Sequence, residues 1–335
     1  MHLYCIINYK ALYILTNTVY GMEEKVYLSD MERRLLRFLM LSGAHHSVHE
    51  IGRQLRVSPQ TVAYKMKQLE ENGVIRSYRY RANPYKLGFT NMTWLALDVS
   101  KHLDMEGLED KILSHPNIFS VSVLAGQIDI FAKVFYSEHD ELTEIVEWLG
   151  LNFKDVISRI SLVPVMRVEK LNQIHGLDRE LSALDEKSIS ILNYQLSHPK
   201  ASLKETSEAL GFHRNTVSRK WTGMWKQGVL LKKSVFVSPE VYQELGFGIS
   251  SCVFIDAIPG RREEIVKEIV KMESVHELYS LAFRHDLLAV TRTSDINHCY
   301  AKVRELYSTR HIADTESMVI LSSKEKDVAP LTVHE

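Results

Sequence analysis

The chain has 335 residues, of which 45% are hydrophobic and 25% charged, as is typical of globular domains. Its formal net charge is -1, so any nucleic-acid surface must come from local clusters of Lys and Arg. The three cysteines lie far apart in the sequence, which argues against a disulfide framework or a metal cluster and suits a reducing compartment. No stretch reaches the length of a membrane span, so we expect a cytoplasmic protein that does not contact membranes.

The segment MHLYCIINYKALYILTNTVYG opens the chain and is apolar enough to resemble a signal sequence. It lacks a basic start and a small-residue cleavage site. We predict that residues 1–24 form an N-terminal extension, with Met22 as an alternative start.

Three helices are predicted next, over Asp30–Leu41, Ser47–Leu55 and Ser58–Asn72. In the third, Ser58 is a suitable N-cap, Pro59 suits the first helical position, and Asn72-Gly73 ends the run. The tripeptide Arg-Val-Ser joins the second and third helices, and such a short turn is typical of a helix-turn-helix. The run VIRSYRYR follows Gly73 and predicts a β-rich wing.

Residues 91–171 show the order strand, helix, strand, strand, helix, strand, which predicts a ferredoxin-like αβ sandwich. The elements are predicted over Thr93–Val99, Met105–Ser114, Ile118–Leu124, Asp129–Tyr136, Glu138–Leu149 and Val156–Val168.

Both patterns then repeat in the same order. LSDMERRLLRFLM is echoed by LSALDEKSISILN, and LGFTNMTWLALDV by LGFGISSCVFIDA. The second set of helices is predicted over Leu184–Leu196, Ser202–Leu210 and His213–Gln227. The second sandwich is predicted over Ser251–Ile258, Arg261–Lys271, Val275–Leu281, Leu287–Thr293, Ile296–Leu306 and Ile312–Leu321.

The predicted fold class is therefore α+β, with two winged helix-turn-helix domains alternating with two ferredoxin-like αβ sandwich domains. The predicted boundaries are 25–90, 91–171, 172–249 and 250–324, and residues 325–335 form a tail.

The third helix of each helix-turn-helix is the predicted contact with DNA, because such a helix enters the major groove. The first-copy candidates are Ser58, Gln60, Thr61, Tyr64, Lys65, Lys67, Arg76 and Arg79, and the second-copy candidates are Arg214, Asn215, Ser218, Arg219 and Lys220. Further cations near these helices are Arg53, Arg56, Arg81, Lys86, Lys226, Lys232 and Lys233. Since Asn pairs with adenine and Arg with guanine, the second copy is expected to discriminate bases more sharply.

Two features of the second helix argue against this expectation. Gly223 lies inside it, where glycine costs about 1 kcal/mol. Trp221 and Trp225 enlarge its core or form a contact surface. Loss of DNA binding by the second module therefore stays open.

The turn AGQID is the candidate effector site, with Ala125, Gly126 and Asp129 as its residues. A glycine at a strand end lets a ligand approach the backbone, and a carboxylate can bind an ammonium group. A simple β-turn with a polar residue is the alternative. In the second copy Phe283 replaces the glycine while Asp286 remains, so we expect that site to be filled or altered.

The sequence has no nucleophile elbow and no phosphate-binding glycine loop. His45, His46 and His49 lack partners at metal-ligand spacing and are expected in a surface turn. We therefore expect no enzyme activity, no metal and no cofactor.

The segments LSDMERRLL and LRVSPQTVAYKMKQLEENGVI, the LGF that follows, and the GxxD turn at Gly126 to Asp129 resemble the Lrp/AsnC (leucine-responsive, feast/famine) family of transcription regulators. The resemblance covers nearly all of the chain after residue 25, twice over. It implies a winged helix-turn-helix that binds double-stranded DNA. It also implies a ferredoxin-like RAM domain that dimerises through its sheet and senses small effectors, often amino acids.

Members of this family normally carry one domain of each type. The tandem chain is therefore expected to fold as an intrachain pseudo-dimer, to meet unlike half-sites on DNA, and to form homo-oligomers of such pseudo-dimers.

Two other functions stay open. Sirohaem decarboxylases share the paired architecture, but that resemblance would need a His-Asn-Tyr and Arg run. SVHELYSLAFRHD offers His276, Arg284 and His285 without that spacing. An effector-binding scaffold without DNA binding would be favoured if the cations of the helix-turn-helix domains were buried in an interface.

Overall fold

The structure, a computed structural model, describes residues 27–100 and 107–326. The predicted extension over 1–24, most of the predicted tail and the start of the helix predicted from Met105 lie outside the described residues. The described chain forms two compact units. We call the one built from 27–89 and 178–245 the helical unit, and the one built from 90–177 and 246–326 the sheet unit.

The first copy contributes the earlier half of each unit. Its helical part consists of α1 (Asp30–Leu41), α2 (Val48–Leu55), α3 (Pro59–Glu71) and strand β1 (Ile75–Ala82). After a 3-10 turn over Tyr85–Leu87, its sheet part consists of β2 (Asn91–Val99), α4 (Leu108–Leu113), β3 (Ile118–Ala125), β4 (Ile130–Tyr136), α5 (His139–Asn152), β5 (Ile157–Leu171) and β6 (Ile174–His175).

The second copy repeats this order. Its helical part consists of α6 (Glu186–Ser197), α7 (Leu203–Leu210), α8 (Arg214–Lys226), β7 (Leu230–Val237) and α9 (Pro239–Glu244). Its sheet part consists of β8 (Ile249–Ala257), α10 (Arg262–Ile269), β9 (Val275–Leu281), β10 (Leu287–Thr293), α11 (Ile296–Tyr307) and β11 (Ile312–Glu325). The predicted α+β class is confirmed.

Each of the two β-rich runs predicted as wings is a single strand, and it pairs with its counterpart in the other copy. β1 and β7 form an antiparallel two-stranded sheet in which Tyr80 lies opposite Lys233. Each strand ends shortly before a proline, Pro84 or Pro239. Proline has no N–H to donate to a sheet, so no return strand follows.

The sheet unit closes on itself. Its strand order is β2-β4-β3-β11-β8-β10-β9-β5-β6, and β5 also pairs with β2. Each copy keeps the ferredoxin-like order, with its fourth strand beside its first. The two copies join where β3 meets β11 and where β9 meets β5. The predicted intrachain pairing of the sandwich domains is confirmed, and it leaves no exposed edge between the two sheets.

Each sheet has two buried faces. One face packs on the helices of its own copy, with Leu95 and Ile145 in the first core and Val253 and Ile265 in the second. The other faces meet each other, and there the Trp94 ring lies 5.7 Å from that of Tyr279. A charged pair also lies between the two sheets, Lys133 of β4 and Glu277 of β9, at 2.8 Å.

Helix starts follow from the sequence S-x-x-E. Ser29 with Glu32, Ser47 with Glu50, and Ser202 with Glu205 form reciprocal capping boxes at α1, α2 and α7. Each box satisfies two backbone N–H groups that a helix start leaves without partners.

The end of α2 gives a testable prediction. Arg56 caps this helix with φ 58°, in the left-handed region, where the second copy has Gly211 at φ 66°. A residue with a β-carbon loses roughly 1–2 kcal/mol in this conformation, and glycine's larger unfolded-state entropy offsets part of that. Arg56→Gly is therefore expected to raise the free energy of unfolding by about 0.5–1 kcal/mol in urea titrations. Gly211→Arg, the matched control, is expected to lower it, and a gain there would contradict the argument.

Candidate nucleic-acid interface and effector turn

The recognition helices α3 and α8 begin with side-chain caps. The Ser58 hydroxyl accepts from the Thr61 N–H at 3.0 Å, and its oxygen lies 2.8 Å from the Thr61 hydroxyl. In the second copy His213 Nδ1 accepts from the Asn215 N–H at 3.3 Å. Ser58 and Thr61 are therefore engaged in capping α3. The residues available for contacts outside the protein are the other exposed residues of the two helices.

The outward faces of the two helices carry different side chains. In α3 the exposed predicted residues are Gln60, Tyr64 and Lys67, and Tyr64 is 64% exposed. In α8 they are Arg214, Asn215, Ser218 and Arg219. Apart from Lys67, which lies in the third turn of α3, these residues lie within the first two turns of their helices, where a recognition helix contacts base edges.

Lys65 and Lys220 occupy equivalent positions and both turn inward, against the expectation for DNA contacts. Lys65 Nζ lies 3.0 Å from a carboxylate oxygen of Glu32 in α1. Lys220 Nζ lies 2.5 Å from Asp185, the N-cap of α6. Their side chains are 26% and 17% exposed, so each lysine ties its recognition helix to the first helix of its copy.

Other predicted cations are also engaged within the unit. Lys67 lies 3.6 Å from Glu71, Arg76 lies 3.9 Å from Glu240, and Arg79 lies over the Phe236 ring at 4.2 Å. Lys86 and Lys232 are buried. The expected cluster around α3 is therefore smaller than the sequence suggests, because neighbouring carboxylates and rings take up its charges. Of the predicted cations, Lys67 and Arg76 stay exposed beside these carboxylates, and Arg53, Arg56, Arg214, Arg219 and Lys226 are exposed with no ion pair among the described residues.

Gly223 does not interrupt α8, which runs unbroken from Arg214 to Lys226. Trp221 is buried, and its ring meets Tyr80 edge-on at 5.0 Å. Trp225 stacks on His45 of the first copy at 4.8 Å. The two tryptophans therefore form the contact surface between copies that was one of the two expected roles, and His45 lies against that surface.

The equivalent contact on the other side has different chemistry. Glu70 of α3, at the position of Trp225, lies 2.6 Å from Lys200 and accepts from the Tyr78 hydroxyl at 2.6 Å. Burial raises the pKa of Glu70, but these hydrogen bonds outweigh it and the net shift is downward. One interface is thus ionic and its counterpart aromatic.

The aspartates of the candidate effector turns bind backbone amides. Asp129 Oδ2 accepts from the Val99 N–H at 2.8 Å, and Asp286 Oδ2 accepts from the Ala257 N–H at 2.9 Å. Sequence reasoning missed this role, which holds each turn to the first strand of its sandwich. Asp129 is exposed, and among the described residues its Oδ1 has no hydrogen-bond partner. Asp286 Oδ1 is taken by Arg262 at 2.5 Å.

The expected free space above Gly126 is occupied. A β-carbon there would overlap Met318 Cγ and lie 2.8 Å from its Sδ. Met318 belongs to β11 and is 3% exposed, and the neighbouring residue of β11, Val319, pairs with Ala125. The glycine thus admits a side chain of the second copy. At the equivalent position Phe283 is 47% exposed, so it alters that turn without filling a pocket.

No group of His, Cys, Asp and Glu able to hold a metal occurs in the described ranges, 27–100 and 107–326. Over the same ranges no helix is both long and apolar enough to cross a membrane.

A paired helix-turn-helix unit with exposed Arg, Asn and Gln on its recognition helices defines a DNA-binding regulator. The family models agree: a helix-turn-helix domain matches residues 27–78, and the Lrp/AsnC ligand binding domain matches residues 251–329. An uncharacterised HTH-type transcriptional regulator of Pyrococcus furiosus is 30% identical over 119 residues, which are 36% of this chain and 79% of the relative. The HTH-type transcriptional regulator FL11 of Pyrococcus abyssi is 25% identical over 150 residues, 44% of this chain and 97% of the relative.

This chain belongs to the Lrp/AsnC family of transcription regulators. Its fold also matches that of the sirohaem decarboxylase NirDL, with a TM-score of 0.61 at 12% identity over 90% of this chain and 95% of the other. That likeness concerns the fold alone.

Proposed function

We propose that the two helix-turn-helix copies of one chain bind double-stranded DNA together, with α3 and α8 as the recognition helices. The observation that supports this most is the exposed set Arg214, Asn215 and Arg219 at the start of α8. In the described ranges no carboxylate lies within ion-pair distance of Arg214 or Arg219. Both guanidinium groups are therefore available to phosphates or base edges.

We further propose that the sheet unit responds to a small effector with an ammonium group, such as an amino acid, at the turn from Ala125 to Asp129. Asp129 supports this because one of its carboxylate oxygens holds the turn through Val99, while the other has no hydrogen-bond partner among the described residues and the residue is exposed. In the second copy Arg262 forms an ion pair with Asp286, so the carboxylate of that turn is less available to a cationic ligand. One effector for each chain is the expected stoichiometry. The pseudo-dimers are expected to assemble further into homo-oligomers.

DNA binding is tested by a gel shift of the full chain against its own upstream region and random duplex, at two salt concentrations. Affinity should prefer one sequence and fall steeply with salt, because each phosphate contact releases a counterion. Absence of binding in every condition would contradict the proposal and favour the effector scaffold. The burial of Lys86 and Lys232 is the observation that supports that alternative.

Effector binding is tested on Asp129→Asn, which keeps the acceptor oxygen for the Val99 N–H and removes the charge. With an amino-acid mixture, the parent chain should change its gel-shift affinity and Asp129→Asn should not. Asp98→Asn, which loses an exposed contact to Arg159 at 2.6 Å, serves as the control. An unaltered response in Asp129→Asn would move the effector elsewhere.

The decarboxylase alternative rests on the shared fold. A tetrapyrrole enzyme of this fold would need histidines available to its substrate. Here His285 Nδ1 lies 2.9 Å from Asp256 and its Nε2 lies 3.6 Å from Glu316, while His276 is buried and packs against Phe247. These residues do not fit that role. Retention of an added iron tetrapyrrole by the purified chain, followed by absorbance, would reverse this conclusion.

A further inference from the structure

The two recognition helices differ at the exposed positions that are expected to meet bases. Aligned from their N-caps, α3 has Pro59, Gln60 and Tyr64 where α8 has Arg214, Asn215 and Arg219. Both arginines of α8 are exposed and lie within its first two turns. The first two turns of α3 carry one cation, Lys65, and that side chain is bound to Glu32. The guanidinium groups suited to guanine therefore all lie on one of the two helices.

The cations of the first copy stand elsewhere, around the turn before its recognition helix. Arg53 and Arg56 are exposed there. The second copy has Glu208 and Gly211 at the same positions, and Lys204 of its α7 lies 3.7 Å from Glu208. In a helix-turn-helix the helix before the recognition helix crosses the DNA backbone. The exposed arginines of the first copy therefore lie where phosphates are expected, and those of the second copy lie where base edges are expected.

The two unlike helices occur as a fixed pair. β1 pairs with β7 inside the helical unit, so the unit contains one helix of each kind. In the sheet unit Lys133 of the first copy meets Glu277 of the second, both almost fully buried. Ser120 is the first-copy residue at the position of Glu277, and Val290 the second-copy residue at the position of Lys133. Like copies paired together would bury either two lysines or two glutamates without opposite charges.

We propose that the chain reads a non-palindromic operator in one orientation. The second copy reads guanines in one half-site through Arg214 and Arg219. The first copy holds the other half-site through phosphate contacts of Arg53 and Arg56 and reads no guanine there. This division rests on the proposed DNA binding, and it follows from the rule that base contacts specify sequence while phosphate contacts position the protein.

The first experiment locates guanine contacts. The full chain selects its operator from random duplexes, and methylation of guanine N7 is then scored for interference with binding. Interfering guanines are expected in one half-site. Arg214→Ala with Arg219→Ala should abolish that interference and reduce affinity for the operator over random DNA by roughly 5- to 150-fold for each lost pair. Interference of equal strength in both half-sites would overturn the inference.

The second experiment separates positioning from reading. Arg53→Gln with Arg56→Gln should leave the selected sequence unchanged and reduce the dependence of log affinity on log salt by about 2, as expected for two lost phosphate contacts. A changed sequence preference in this variant would overturn the inference. Circular dichroism of each variant shows whether it is folded.

The third experiment transfers the reading function. Tyr64→Arg places a guanidinium on α3 at the position of Arg219, and selection should then recover an added guanine in the other half-site. An unchanged operator would count against the inference. Absence of DNA binding by the parent chain would refute the proposed function itself, whereas symmetric binding would refute this division alone.

Discussion

Lys133→Met is expected to lower the free energy of unfolding of the sheet unit by about 3–5 kcal/mol. Lys133 Nζ donates to both carboxylate oxygens of Glu277, at 2.9 and 2.8 Å, and the two side chains are 9% and 10% exposed. Without the lysine, the Glu277 carboxylate stays buried, and among the described residues the Tyr279 hydroxyl, at 2.6 Å, is its remaining side-chain donor. The measurement is urea unfolding followed by tryptophan fluorescence, to which the sheet unit contributes Trp148 and Trp94, whose ring lies 5.0 Å from the ammonium.

Two further variants serve as a control and as a test of this prediction. Lys302→Met removes the lysine of an exposed pair with Glu305, at 2.7 Å, and should change stability by at most about 1 kcal/mol. Lys133→Met combined with Glu277→Met replaces the buried pair with apolar side chains of similar volume. This double variant should recover most of the loss, because the cost comes mainly from an uncompensated charge. A double variant as unstable as the single one would show that the pair supplies net attraction.

The fold was predictable because two independent patterns occur twice. Capping boxes such as Ser29 with Glu32 mark helix starts, and the tripeptide between α2 and α3 marks the turn of a helix-turn-helix. Because the two halves of the chain repeat the same elements in the same order, domains of the same type were expected to pair with each other. The closing contacts of β3 with β11 were beyond sequence reasoning, since strand partners far apart along the chain leave no local pattern.

The site was less predictable, because the sequence gives charges without their partners. Lys65 and Lys220 count as cations near DNA until the structure brings Glu32 and Asp185 beside them. A shared lysine at the same position of two recognition helices, with an acidic residue at the start of each first helix, was the signal that would have revealed this. The structural role of Asp129 was unpredictable for a similar reason. Its hydrogen bond with the Val99 amide depends on how the turn folds back onto the first strand.

Gly126→Ala is expected to lower the free energy of unfolding by about 1–3 kcal/mol, as overpacking does. The added methyl group would overlap Met318 Cγ, an atom near the backbone of a buried side chain that has little freedom to move away. At the equivalent turn of the second copy, Phe283 stands in place of the glycine. The residue at the position of Met318 is there the smaller Val163, which is fully buried. Met318→Val alone should cost about 1 kcal/mol through the cavity it leaves, yet combined with Gly126→Ala it should restore stability toward that of the parent chain. Urea unfolding of the four proteins measures the coupling, and strictly additive losses would mean that the glycine serves a ligand and not Met318.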